Sequence, residues 1–143
     1  MNIYQANNIH YNELIEVWEA SVRATHYFLN EDDIRLYRNL IFTEFFDQVA
    51  LYCTKQEGII TGFIGISDNM VQMLFIHPLY RGAGAGKRLL QYVINEHQVT
   101  RVDVNEQNEQ AVGFYKYVGF KQVQRSEIDG AGRPYPLLSM ELI

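Results

Sequence analysis

From His10 to Ala24 the apolar residues Leu14, Ile15, Val17, Trp18 and Val22 recur at helical spacing, which predicts an amphipathic helix. A second helix is predicted from Asn30, where a capping amide precedes an acidic first turn of Glu31, Asp32 and Asp33. Its apolar face would run through Ile34, Tyr37, Leu40 and Ile41. The period then changes. Val49 to Thr54, Ile59 to Ile66 and Met70 to Ile76 read as three strands, separated by the turn signals Gln56-Glu57-Gly58 and Ser67-Asp68-Asn69, and so as an antiparallel meander. Leu89, Leu90, Val93 and Ile94 mark one face of a helix ending near His97, and Arg101 to Val104 is a short strand. Asn108 to Val118 is a helix closed by Gly119, placed where a left-handed residue is wanted. Lys121 to Ile128 and Pro136 to Leu142 are strands around the loop "DGAGRPY". With a short apolar patch at Ile3 and Tyr4 leading, the order is β-α-α-β-β-β-α-β-α-β-β. That order predicts an α/β (α+β) architecture, a mixed sheet with helices on both faces.

The 143 residues suit one domain with an adequate core, so residues 1–143 are read as a single domain. No basic-then-apolar leader opens the sequence, and no apolar run approaches the ~18 residues of a membrane span. A cytoplasmic protein with no membrane partner is expected. The net charge of −5 argues against a nucleic-acid partner and is compatible with a cationic one. Many of the ten tyrosines are expected to pack with only their hydroxyls wet. Cys53, the single cysteine, lies in an apolar run and reads as a small buried side chain. His10, His77 and His97 show no metal-ligand spacing with one another or with Cys53, so no metal is expected.

The stretch "LFIHPLYRGAGAGKRLL", Leu74 to Leu90, carries the chemistry. Its glycines join a strand to a helix N-terminus, where unpaired N–H groups and the dipole favour an anion. A P-loop would need G-x-x-x-x-G-K-[ST]; Gly82 to Gly86 is one residue short, and Arg88 stands where Ser or Thr would hold magnesium. A dinucleotide fingerprint, G-x-G-x-x-G, finds Gly82 and Gly84 but meets Lys87 at its third glycine, and the preceding strands form hairpins rather than βαβ. The pattern R-x-x-G-x-G is met in full by Arg81, Gly84 and Gly86.

This last pattern, after "IHP" at Ile76 to Pro78, resembles the pyrophosphate loop of the Gcn5-related N-acetyltransferases (GNAT). A second block, "NEQNEQAVGFYKYVGF" from Asn105 to Phe120, resembles that family's coenzyme-side helix, with N-x-x-A-x-x-F-Y over Asn108 to Tyr115 and then Gly119-Phe120. The stretches "WEASVRATHYFL" and "RPYPLL" are similar to a group of small bacterial members. The resemblance implies the GNAT fold and acetyl transfer from acetyl-CoA to a primary amine, on a small molecule or on a protein lysine or N-terminus. It also implies direct attack in a ternary complex, and a homodimer stays open.

By that resemblance, Gly82, Ala83, Gly84, Ala85, Gly86 and Lys87 would turn backbone N–H groups to the diphosphate, with Arg81 beside them. Leu74, Phe75 and Ile76 would hydrogen-bond the pantetheine arm and steady the oxyanion. Asn108 would contact coenzyme A; it reads equally well as the helix N-cap. Tyr115 would donate to the departing thiolate, since a phenol near ~10 matches a thiol near ~8.5; its plainer reading is a core aromatic. His26, in "THYFL", is a base or acceptor contact, against a helix-end histidine bonded to backbone. A non-catalytic acyl-CoA-binding module on the same fold is the alternative from another class, and a nucleotide-binding protein is a third reading.

Overall fold

A computed structural model describes residues 1–143, which divide into two compact units, Met1–Val99 and Thr100–Ile143. The elements follow the predicted order. In the first unit they are β1 (Tyr4–Ala6), α1 (Tyr11–Thr25), α2 (Glu31–Leu40), β2 (Ala50–Gln56), β3 (Ile59–Ser67), β4 (Met70–Ile76) and α3 (Ala85–His97). In the second they are β5 (Arg101–Asn105), α4 (Glu109–Val118), β6 (Phe120–Ser126) and β7 (Leu137–Leu142).

The first unit is an antiparallel meander in the order β1-β2-β3-β4. Asp68 and Asn69 both take positive φ (50° and 58°) in the β3–β4 turn, the conformation that a tight hairpin asks of these residue types. Alternation along the strands gives the sheet two covered faces. Leu51, Cys53, Phe63, Met73 and Phe75 join Leu14, Trp18 and Val22 of α1 in one core, in which the Phe63 ring meets Phe46 at 5.9 Å and Phe75 at 5.8 Å. Tyr52, between Leu51 and Cys53, points the other way and meets Tyr92 and His97 of α3.

Asn30 caps α2 as expected: its Oδ1 accepts the Asp33 N–H at 2.8 Å, and its own N–H donates to the Asp33 carboxylate. The helical path does not stop at Ile41 but widens into a π turn (Ile41–Phe45) and then tightens into a 3-10 turn (Phe46–Gln48). Buried Ile41 and Phe46 tie this extension to the core.

In the second unit β7 lies between β5 and β6, antiparallel to both, and α4 packs on β5 and β6. β6 ends at Ser126 rather than Ile128, because the Ser126 hydroxyl donates to the Ile128 carbonyl at 2.8 Å and turns the chain. The tyrosines divide: Tyr52 and Tyr115 are buried, whereas Tyr27 and Tyr117 are more than four-fifths exposed. No helix is long and apolar enough to cross a membrane.

Candidate active site

β4 brings Leu74, Phe75 and Ile76 into register with Ile64, Phe63 and Gly62 of β3. The two strands approach closely at Gly62, where a Cβ would stand 2.4 Å from Ile76 Cδ1 and 3.2 Å from the Phe75 carbonyl oxygen. His77 then ends the strand; its N–H donates to the Thr61 carbonyl, and its Nδ1 accepts the Leu79 N–H at 3.2 Å to cap a 3-10 turn over Pro78–Tyr80. That turn delivers the chain to Arg81, exposed at the mouth of the glycine loop.

Gly82 and Gly84 hold φ of 81° and 85°, a region that side-chain-bearing residues rarely adopt. A Cβ at either would meet nothing within 4 Å, so the space over these two residues can take a ligand. Gly84 is the N-cap of α3 and supplies no side-chain acceptor. The helical ladder opens with the Arg88 N–H on the Gly84 carbonyl at 2.9 Å, so the N–H groups of the first helical turn point along the axis toward the glycine loop. Buried Ala85 seats the helix, and Arg88 turns away to the Met1 carbonyl. An open, uncapped and strongly polar helix start beside a guanidinium fits the diphosphate of coenzyme A.

His26 follows the last turn of α1 and is 7% exposed. Its ring lies 5.3 Å from Phe28 and 6.3 Å from Phe75 of β4. Burial, and secondly the charge of Arg81, push its pKa down from the ordinary 6.5 to about 4. The first unit thus gathers the β4 strand, the glycine loop and His26 in one region. Thr25 was not anticipated; its hydroxyl lies 2.7 Å from His26 Nδ1. The only local signal was a hydroxyl residue next to a histidine where the apolar helical pattern ends.

In the second unit Asn108 and Tyr115 share one side of α4, seven positions and roughly 10 Å apart along the helix. Asn108 Oδ1 accepts the Ala111 N–H at 3.3 Å, so the capping role is realised. Tyr115 is buried against Phe114 and Phe120, edge-on at 5.3 and 5.5 Å, and burial raises the pKa of its phenol. Cys53 is buried within β2, with its thiol pKa also raised by burial, which makes it a poor nucleophile.

Residues 35–142 match the family model described as an acetyltransferase (GNAT) domain. The peptidyl-lysine N-acetyltransferase YjaB of Escherichia coli (strain K12) is 40% identical over 132 residues, which are 92% of this chain and 89% of that protein. The solution structure of apo-form YjaB from Escherichia coli superposes with a TM-score of 0.90 at 36% identity, over 99% of this chain and 97% of that one. A PaiA N-acetyltransferase from Thermoplasma acidophilum, solved in complex with coenzyme A, shares the fold with a TM-score of 0.75 at 20% identity and 99% coverage of both chains. The glycine loop and α4 lie within the matched residues, and the chain belongs to the GNAT acetyltransferase family.

Proposed function

We propose that this acetyltransferase moves the acetyl group of acetyl-CoA to the side-chain amine of a lysine in a protein or peptide. The observation that carries this acceptor is the 40% identity, over 92% of the chain, to a peptidyl-lysine N-acetyltransferase. The family match crosses the boundary between the two units, which supports reading residues 1–143 as one N-acetyltransferase domain.

Acetyl-CoA supplies an activated acetyl thioester. The N–H groups of the α3 start hold the diphosphate, Arg81 adds a counter-charge, and the backbone of Leu74, Phe75 and Ile76 receives the pantetheine arm and polarises the thioester carbonyl. The amide of Asn108 contributes a further contact to the coenzyme. Tyr115 hydrogen-bonds the departing sulfur. Its raised pKa keeps the phenol protonated, so it acts as a donor that retains its proton rather than one that gives it up. Burial of Cys53 supports direct attack by the amine, with no acyl-enzyme.

The test is release of free thiol from acetyl-CoA by the purified chain, with lysine-containing peptides as acceptors and mass spectrometry of the products. Tyr115→Phe should lower kcat by about 10- to 100-fold, the worth of one hydrogen bond to a charged group, and leave KM for acetyl-CoA unchanged. Acetylation of free polyamines or amino acids with none of peptides would refute the lysine acceptor. An unaltered kcat in Tyr115→Phe would remove the tyrosine from the reaction.

A further inference from the structure

A threonine hydroxyl has one proton, and the position of Thr25 shows where that proton lies. Thr25 Oγ1 donates to the Ser21 carbonyl oxygen at 2.8 Å, the backward bond that a threonine makes within a helix. The same oxygen stands 2.7 Å from His26 Nδ1. With its only proton committed to Ser21, the hydroxyl meets the ring as an acceptor, so Nδ1 carries the imidazole proton. Nε2 then holds the lone pair and takes no part in this bonding. The ring has little freedom to turn. The backbone N–H of His26 donates to the Val22 carbonyl at 2.7 Å, and the imidazole is buried against Phe28 and Phe75.

We propose that Thr25 is a positioning residue that locks His26 in the Nδ1–H tautomer, so that Nε2 takes the proton from the acceptor amine during acetyl transfer. This rests on the reading of the chain as a lysine acetyltransferase. Phe75 places the imidazole beside β4, the strand assigned to the thioester, and Arg81 links it to the diphosphate end. As the amine nitrogen forms its bond to the acetyl carbon, its surplus proton passes to Nε2 and the C–S electron pair departs on sulfur. The thiolate then takes up a proton and the imidazolium returns one to solvent, so the histidine ends neutral, as it began. Burial, and secondly the charge of Arg81, oppose protonation of the ring. A diphosphate held by that guanidinium offsets its charge and so removes the smaller of the two contributions once the donor is bound.

The experiment uses the full chain, acetyl-CoA and a lysine peptide. His26→Gln should lower kcat by roughly 10²-fold or more with KM for acetyl-CoA unchanged, the scale of a lost general base. Thr25→Val should lower kcat by about three- to tenfold, the scale of one neutral hydrogen bond, and Thr25→Ser should restore it. Nitrogen-15 NMR of the wild-type imidazole, which needs no variant to fold, should show a protonated Nδ1 and a bare Nε2; in Thr25→Val the two tautomers should mix. A wild-type ring protonated at Nε2 overturns the inference, as does a kcat in His26→Gln within about twofold of wild type on a scale where a general base is worth at least ~10². A wild-type chain that acetylates no peptide removes the lysine reading and this inference with it. An active wild type with unchanged variants removes the inference alone.

Discussion

Lowering the pH from 6.5 toward 4 protonates His26 in the unfolded chain before it does so in the folded one. The folded value is depressed to about 4, first by burial and then by Arg81, whereas the free side chain titrates at 6.5. Through that interval the unfolded state binds the extra proton, so stability falls as the pH falls. The contribution is fully present above 6.5 and fully lost below 4. Each pH unit of the window is worth about 1.4 kcal/mol, so the whole of it amounts to about 3 kcal/mol. That is a large share of the ~5–15 kcal/mol by which a domain is ordinarily stable. Burial carries most of this, because Arg81 is exposed and its field is screened.

The carboxylates whose pKa values arginine partners lower are Glu19 beside Arg23, Glu31 beside Arg23 and Glu106 beside Arg125, all starting from 4.5. Their loss begins only as the pH falls below that value, which leaves the range from about 5 to 6.5 to the histidine. Urea denaturation across that range should show wild type losing stability by up to about 1.4 kcal/mol per pH unit more than His26→Gln. Equal slopes in the two proteins would show that the imidazole is not buried as described.

Gly84→Val places a β-branched residue at φ 85°, a strain of roughly 1–2 kcal/mol that thermal denaturation will read, and its side chain fills the open space over the α3 start. Calorimetry should show coenzyme A affinity lost from a protein that still folds; retained affinity would displace the diphosphate from this loop. Gly62→Ala drives a Cβ against the Phe75 carbonyl and Ile76, so it should cost about 1–3 kcal/mol in stability and weaken acetyl-CoA binding through the distorted β4. Asn108→Ala should cost ~1 kcal/mol through the lost cap, while Asn108→Asp keeps the cap and, by replacing an amide donor with an anion, weakens coenzyme A binding. Calorimetry on Asn108→Asp that matches wild type would leave Asn108 as a cap alone.

The boundary between what the sequence discloses and what only the fold discloses runs through Thr25-His26. Asn30, Asn108 and the Asp68-Asn69 turn were legible because each acts within about four residues of itself, by a side chain reaching a neighbouring N–H or by a backbone angle its own type tolerates. The glycine loop was legible for a related reason: the role we propose for it uses main-chain N–H groups at a helix start, and helix starts are local. Ser126 shows the limit, since a hydroxyl that turns the chain and one that sits in a strand look alike in an alternating pattern. His26 lies further beyond it. Which ring nitrogen is bare depends on where Thr25 sends its proton, and that depends on α1 continuing far enough to offer the Ser21 carbonyl. The low basicity of the same ring depends on Phe75 and Arg81, some fifty residues later, folding back onto it. Proton chemistry at this site is therefore set by tertiary burial acting on a locally fixed tautomer. A change at β4 or at Arg81 that leaves the helix intact should alter the basicity of His26 without altering which nitrogen carries its proton.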